Sequence, residues 1–79
     1  MRIDKFLKVS RIIKRRTVAN EACAGGRVSV NQKVAKPSAE VKPGDTVEIS
    51  FGSKTLRAEV LSVQETVGKA GAAAMYREI

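Results

Sequence analysis

The sequence predicts an α+β fold: two N-terminal helices packed on a small, mostly antiparallel sheet, with a short C-terminal tail. This fold is predicted by a change in the spacing of apolar residues along the chain. Apolar residues recur at helical spacing before the Gly25-Gly26 pair, and from Arg27 onward they alternate with polar residues, as in strands. Because 79 residues suffice for only one modest core, we predict a single domain over residues 1–64 and a tail over residues 65–79.

The first predicted helix covers residues 2–9. Ile3, Phe6 and Leu7 lie on one side of it at helical spacing, so this side is predicted to face the core. Lysines occupy the other side, which is therefore cationic. Asp4 falls in the first turn, where a carboxylate can accept a backbone N–H and complement the positive end of the helix dipole. We expect Asp4 to cap the helix or to pair with an arginine.

The second predicted helix covers residues 18–24. Thr17 is its predicted N-cap, because a threonine hydroxyl can accept an unpaired N–H of the first turn. The Gly25-Gly26 pair ends the helix, since glycine adopts the left-handed conformation that closes a helix without strain. The residues predicted to face the core are Val18, Ala19, Ala22 and Cys23.

Period-two alternation from Arg27 onward predicts antiparallel strands joined by tight turns. The predicted turns are Asn31-Gln32, Pro43-Gly44-Asp45 and Gly52-Ser53. The residues predicted to face the core are Val28, Val30, Val47, Ile49, Phe51, Leu56, Ala58 and Val60. After Gln64 the chain is rich in glycine and alanine, so we expect a loosely attached tail with Tyr76 as its anchor.

Positive charge is concentrated in the first half of the chain. Residues 1–42 contain eleven lysines and arginines against three acids, a net charge of +8, whereas residues 43–79 contain four against five, a net charge of −1. A one-sided basic surface on a small domain favours a polyphosphate partner. The candidate RNA-binding residues are Arg2, Lys5, Lys8, Arg11, Lys14, Arg15, Arg16 and Arg27, with Asp4 and Thr17 as structural support.

The residue types also predict how RNA would be recognised. Arginine can bind phosphate oxygens through two parallel N–H groups, and the open N–H groups at the start of the second helix offer a further anion site. The chain has only two phenylalanines and one tyrosine, and both phenylalanines lie on predicted core faces. We therefore expect recognition by shape and backbone charge rather than by stacking on unpaired bases.

Composition argues against an enzyme, a metal site and a bound cofactor. Histidine is absent, which removes the commonest general base at neutral pH and the commonest metal ligand. Cys23 is the single cysteine, so no internal disulfide can form, and its apolar neighbours predict a buried thiol. No apolar run approaches the roughly 18 to 20 residues of a membrane-spanning helix, so we expect a cytoplasmic protein.

Four ordered blocks of sequence resemble the alpha-L RNA-binding domain first described in the fourth protein of the small ribosomal subunit. The blocks are Arg2-Ile3-Asp4-Lys5-Phe6-Leu7, Arg15-Arg16-Thr17-Val18-Ala19, Gly26-Arg27-Val28-Ser29-Val30-Asn31 and Val41-Lys42-Pro43-Gly44-Asp45. One departure is Gln32, where the family usually has glycine after the asparagine. The resemblance implies that Asp4 and Thr17 organise the helices and that RNA contacts Arg2, Lys5, Arg15 and Arg16.

As a free-standing domain, the chain is similar to one subgroup of this family, the bacterial ribosome-associated quality-control factors related to the fifteen-kilodalton heat-shock protein. Residues 5–17 and the closing Ala73-Ala74-Met75-Tyr76 carry this similarity. It implies binding to ribosomal RNA and tRNA on a large ribosomal subunit obstructed by peptidyl-tRNA, and we expect the protein to be a monomer. It further implies that the tRNA is held in the peptidyl site while a partner tailing factor directs alanine tailing of the stalled chain.

Other functions would use the same basic surface. One alternative is a heat-shock-type ribosome recycling factor or another general RNA-binding module. From a different class, a protein-interaction adaptor would present the surface to the carboxylates of a partner. An enzyme is a third alternative, which the lack of a visible catalytic pair disfavours.

Overall fold

A computed structural model describes residues 1–64 and 68–79. The predicted α+β fold is confirmed, since two helices precede a sheet. No helix among these residues is long and apolar enough to cross a membrane. The elements are α1 Ile3–Val9, α2 Arg16–Ala24, β1 Val28–Val30, β2 Lys33–Val34, β3 Thr46–Phe51, β4 Lys54–Val60, α3 Lys69–Ala73 and β5 Tyr76–Glu78.

The five strands form one sheet in the order β2-β1-β3-β4-β5, and each of these neighbouring pairs is antiparallel. The ladder between β3 and β4 is the longest and runs from Thr46 opposite Glu59 to Phe51 opposite Lys54. Residues that face each other across such a ladder point to the same side of the sheet. Alternation along each strand therefore gives the sheet one apolar side, which α1 and α2 cover, and one polar side.

The core lies between the two helices and the apolar side of the sheet. Ile3, Phe6 and Leu7 are fully buried, which confirms the inward side predicted for α1. Cys23 is buried on α2, as predicted. Burial, with a smaller contribution from the Asp4 carboxylate, raises the pKa of the Cys23 thiol to about 11. The thiol therefore stays protonated at neutral pH and acts as a small apolar core residue.

Two residues that were predicted to face the core are exposed instead, Val18 at 45% and Phe51 at 45%. Val18 precedes the buried Ala19 by one helical position, about 100° around the axis, and this rotation directs it outward. Phe51 is the last residue of β3, next to the turn at Gly52-Ser53, so the core ends before it can enclose the ring. The core assignment was wrong at both positions.

The turn between β1 and β2 confirms the tight turn predicted at Asn31-Gln32. Asn31 has φ 51° and Gln32 has φ 70°, the two positive values that a type I′ hairpin requires. A left-handed conformation costs a residue such as Gln32 roughly 1–2 kcal/mol. The Asn31 side chain offsets this cost, because its Oδ1 accepts the Thr46 N–H at 2.9 Å and its Nδ2 donates to Asp45 at 3.1 Å.

The C-terminal segment is packed, which corrects the expectation of a loosely attached tail. Met75 is fully buried, and its carbonyl oxygen accepts the Leu61 N–H at 2.8 Å. The strand β5 extends the sheet by pairing with β4, and Tyr76, the predicted anchor, lies half-buried at its start. Residues 65–67, where the predicted tail begins, lie outside the described residues, so the division of the chain at residue 64 stays a prediction.

Candidate nucleic-acid interface

Asp4 is a buried carboxylate at which α1 and α2 meet. Its side chain is 2% exposed and lies 3.2 Å from Arg2 Nη2 and 3.6 Å from Arg16 Nη2. The Asn20 amide, one helical turn beyond Arg16, donates to the same carboxylate at 3.3 Å. Asp4 also accepts the Lys5 backbone N–H at 2.7 Å. The expected pairing of Asp4 with an arginine is therefore found, and it links residues from both helices.

The two arginines keep most of their binding capacity despite these ion pairs. The Arg2 and Arg16 side chains are each 47% exposed. A guanidinium carries five N–H donors, and each of these salt bridges uses one of its nitrogens. Two positive charges share one carboxylate, so a net positive charge remains. Asp4 thus orients Arg2 and Arg16 side by side without neutralising them.

The connector between α1 and α2 adds three exposed cations, Arg11, Lys14 and Arg15. Arg11 has φ 64°, a left-handed conformation that ends α1. Ile13 is buried, and its N–H donates to the Leu7 carbonyl at 3.0 Å, which anchors the connector on α1. The connector returns along α1 and brings the start of α2 to Asp4, so its cations belong to the same substructure as the two oriented arginines.

Two lysines of α1 are the remaining basic residues of the N-terminal helices and their connector. Lys8 is exposed and Lys5 is half-buried on the helix. We call the basic residues of α1, the connector and the first turn of α2 the N-terminal cationic surface. Its members are Arg2, Lys5, Lys8, Arg11, Lys14, Arg15 and Arg16.

Thr17 does not cap α2, and this prediction was wrong. The helix begins at Arg16, its N-cap is Arg15, and no side chain caps it. Arg16, in the first turn and one residue ahead of Thr17, is the residue of α2 that forms an ion pair with Asp4. Thr17 instead lines an open groove of about 410 Å³ together with Asp4, Arg16, Asn20 and Glu21. It therefore lies next to Asp4 and Arg16.

Arg27 lies apart from the N-terminal cationic surface. It follows the C-terminal end of α2, a helix of nine residues and about 13 Å, whereas Arg16 lies at the opposite end. The Arg27 carbonyl accepts the Ser50 N–H at 2.9 Å, which continues the β1–β3 register. This register places Arg27 on the polar side of the sheet, and its Nε lies 3.7 Å from the position that a Cβ of Gly25 would occupy, at the C-terminal end of α2. The sequence grouped Arg27 with the other candidates, and the structure does not.

Asn20 is a site residue that the sequence analysis missed. Its amide joins Arg16 and Arg2 on the Asp4 carboxylate. The detectable signal was its position four residues after Arg16, which puts both side chains on one face of α2. Within residues 1–64 and 68–79, no group of three or more His, Cys, Asp or Glu side chains could hold a metal ion.

Replacing Asp4 with asparagine tests whether this carboxylate joins the helices. Asp4→Asn keeps an acceptor for the Lys5 N–H but loses both ion pairs, so we expect a loss of about 1–3 kcal/mol in the free energy of unfolding. Glu40→Gln is the matched control, since Glu40 pairs with the N-terminal amine at 2.8 Å but is 77% exposed. Its change should stay within about 0.5 kcal/mol. Equal urea midpoints for the two variants would contradict the assigned role of Asp4.

Comparison with known proteins gives relatives along the whole chain. A protein of Halalkalibacterium halodurans named RQC P-site tRNA stabilizing factor is 54% identical over 76 residues, which cover 96% of this chain and 86% of the relative. A protein of the same name from Streptococcus pneumoniae is 53% identical over 79 residues, covering 100% of this chain and 90% of the relative.

Solved structures agree on the fold. Heat Shock Protein 15 of Vibrio cholerae, whose structure is described as trimeric, superposes with a TM-score of 0.91 and 30% identity. The match covers 100% of this chain and 81% of that one. A family model described as the S4 domain matches residues 1–47, which contain the complete N-terminal cationic surface. The family predicted from the four sequence blocks is thus confirmed: the chain belongs to the S4 domain family.

Proposed function

We propose that this protein is an RNA-binding factor of bacterial ribosome-associated quality control, which binds obstructed large ribosomal subunits and stabilises tRNA in the peptidyl site. The observation that carries the proposal is the N-terminal cationic surface, where Asp4 holds Arg2 and Arg16 side by side. Relatives that are more than half identical over nearly the whole chain are named RQC P-site tRNA stabilizing factors, which supports the same function.

The proposed mechanism is binding, without a chemical step. Oriented guanidinium groups bind phosphate oxygens bidentately, and the lysines add contacts that depend on charge rather than base identity. Several such contacts on ribosomal RNA and on tRNA would fix the position of one relative to the other. The tRNA would then stay in the peptidyl site while a tailing factor directs alanine addition. In this proposal the protein acts in the cytoplasm as a monomer.

Binding through phosphates predicts a steep dependence on salt. If about five phosphates are neutralised, log affinity should fall against log salt with a slope of roughly −3.5 to −4.5. The measurement is the affinity for a fluorescent tRNA or ribosomal RNA fragment between about 50 and 200 mM KCl. An affinity that stays constant over this range would contradict phosphate binding.

Co-sedimentation tests the proposed target. Large subunits with and without peptidyl-tRNA are centrifuged with the protein through sucrose, and we expect the protein to travel with the obstructed subunits. Equal binding to empty subunits would contradict a role for the tRNA. Recovery of a protein partner after nuclease treatment of a pulldown would favour the adaptor alternative.

The heat-shock-type recycling alternative is supported by the TM-score of 0.91 to Heat Shock Protein 15. Reconstitution separates the two functions. Addition of the protein together with a tailing factor should increase alanine addition if the quality-control proposal is right. Release of subunits without any effect on tailing would support recycling.

A further inference from the structure

A tight turn that begins at Lys36 is hydrogen-bonded to the start of α1. The Ala39 N–H donates to the Lys36 carbonyl at 2.9 Å, which closes the turn. The Ala39 carbonyl accepts the Ile3 N–H at 2.7 Å, and the Pro37 carbonyl accepts the Asp4 N–H at 3.3 Å. These two N–H groups belong to the first turn of a helix, where the helix itself offers no acceptor. The turn is therefore fixed against the end of α1 that belongs to the N-terminal cationic surface.

The chain is anchored on both sides of this turn. Ala35 before it and Val41 after it are buried, at 6% and 3% exposed, and each donates its N–H to a backbone carbonyl at 2.9 Å. Within the turn, the ring of Pro37 fixes the backbone angle φ. Lys36 and Ser38 are both exposed. These two side chains are therefore presented to solvent on an ordered backbone, so a ligand that binds them has little backbone entropy to remove.

The charge around this turn is complementary to phosphate. No acid occurs in residues 22–39, and Lys36 forms no ion pair within the part of the chain that the structure describes. Glu40, the acid next to the turn, is paired with the N-terminal amine at 2.8 Å, and the buried Asp4 is shared by two arginines. Arg2 lies directly opposite Glu40 in an antiparallel bridge. The positively charged surface therefore continues from Arg2 onto the turn.

We propose that Lys36 and Ser38 form a phosphate subsite that adjoins Arg2 and binds the backbone of the same RNA. This inference rests on the proposed RNA-binding function and extends its site beyond the two helices. The Lys36 ammonium binds a phosphate as a point charge, and the Ser38 hydroxyl donates to a phosphate oxygen. The Ser38 N–H donates to no backbone carbonyl among the described residues and is a further donor. Because the bridge places Arg2 beside this segment, one RNA strand contacts both.

The salt dependence of binding to a fluorescent tRNA or ribosomal RNA fragment tests the subsite. Lys36→Gln should lower the affinity about three- to tenfold at about 50 mM KCl and make the slope of log affinity against log salt shallower by about 0.7–0.9. Ser38→Ala removes an uncharged donor, so the affinity should fall about two- to tenfold with the slope unchanged. Since both side chains are exposed, the melting temperature should change by no more than about 4 °C.

Lys54→Gln is the matched control, because it removes the same charge from an exposed lysine at the tip of the β3–β4 hairpin. This tip lies beside Arg27, which follows the end of α2 opposite to Arg16. We expect the control to keep the salt slope of the unchanged protein. An unchanged slope in Lys36→Gln, or losses equal to those of Lys54→Gln, would overturn the subsite. Wild-type affinity of Ser38→Ala would overturn the role of its hydroxyl.

An Arg2→Ala/Arg16→Ala variant separates this inference from the proposed function. If that variant loses RNA binding while Lys36→Gln behaves like Lys54→Gln, the subsite fails and the proposed function stands. If the arginine variant also binds RNA with the affinity of the unchanged protein, the proposed function fails as well.

Discussion

Replacing Arg2 and Arg16 together with alanine should lower the affinity for obstructed large subunits by at least about 100-fold. A hydrogen bond to a charged group contributes about 1.5–3 kcal/mol, so two lost phosphate contacts account for this factor. Removing both arginines also leaves the buried Asp4 carboxylate without its ion pairs, so we expect a loss of about 1–3 kcal/mol in the free energy of unfolding, and the affinity is measured well below the melting temperature of the variant. The measurements are quantitative co-sedimentation and a thermal melt on the same preparation.

The matched control removes two arginines from the polar side of the sheet, Arg57→Ala with Arg77→Ala. Both are exposed and each is paired with a glutamate on the sheet, so the change in net charge is the same. We expect this variant to lose far less affinity, mainly through weaker long-range attraction. An equal loss in both variants would mean that total charge alone matters and that the arrangement around Asp4 does not.

Truncating Met75 should give the largest loss of stability among the changes considered. Met75 is fully buried and packs in the same core as α1. Methionine-to-alanine changes in cores cost about 2–5 kcal/mol. At about 4–8 °C per kcal/mol for a domain of this size, Tm should fall by at least about 8 °C. Differential scanning calorimetry or circular dichroism provides the measurement.

Ile79→Ala is the control for this variant, since Ile79 belongs to the same segment but is 61% exposed. Its free energy of unfolding should change by no more than about 0.5 kcal/mol. Similar melting curves for the two variants would mean that the C-terminal segment contributes nothing to the core, as the sequence analysis expected. A selective loss in Met75→Ala would establish the C-terminal segment as part of the folding unit.

Asp4 connects stability with binding in this fold. Its carboxylate lies at the junction of the helices and orients Arg2 and Arg16. Without the ion pairs to Asp4, the long side chains of Arg2 and Arg16 would sample many rotamers. RNA binding would then have to order them at an entropic cost. The intramolecular ion pairs order them before binding. This arrangement explains why a buried acid lies inside the most basic part of the chain.

Local patterns predicted much of the architecture. The spacing of Ile3, Phe6 and Leu7 was sufficient to orient α1, and the Asn31-Gln32 turn followed from the positive φ that asparagine tolerates. Errors occurred where a residue's environment depends on distant parts of the chain. Phe51 alternates correctly with Ile49, yet its side chain is 45% exposed at the end of β3. The three residues of β5 are too few to reveal a strand by periodicity.

The sequence by itself determined the α+β class, the concentration of positive charge in residues 1–42 and membership of the family, because these depend on residue types and their order along the chain. Only the tertiary structure decided which charges meet. Packing of α2 on α1 brings Arg16 and Asn20 to Asp4, and the same packing leaves Arg27 at the far end of α2 beside the β3–β4 hairpin. Electrostatic energy depends on distances in space, which spacing along the chain does not specify.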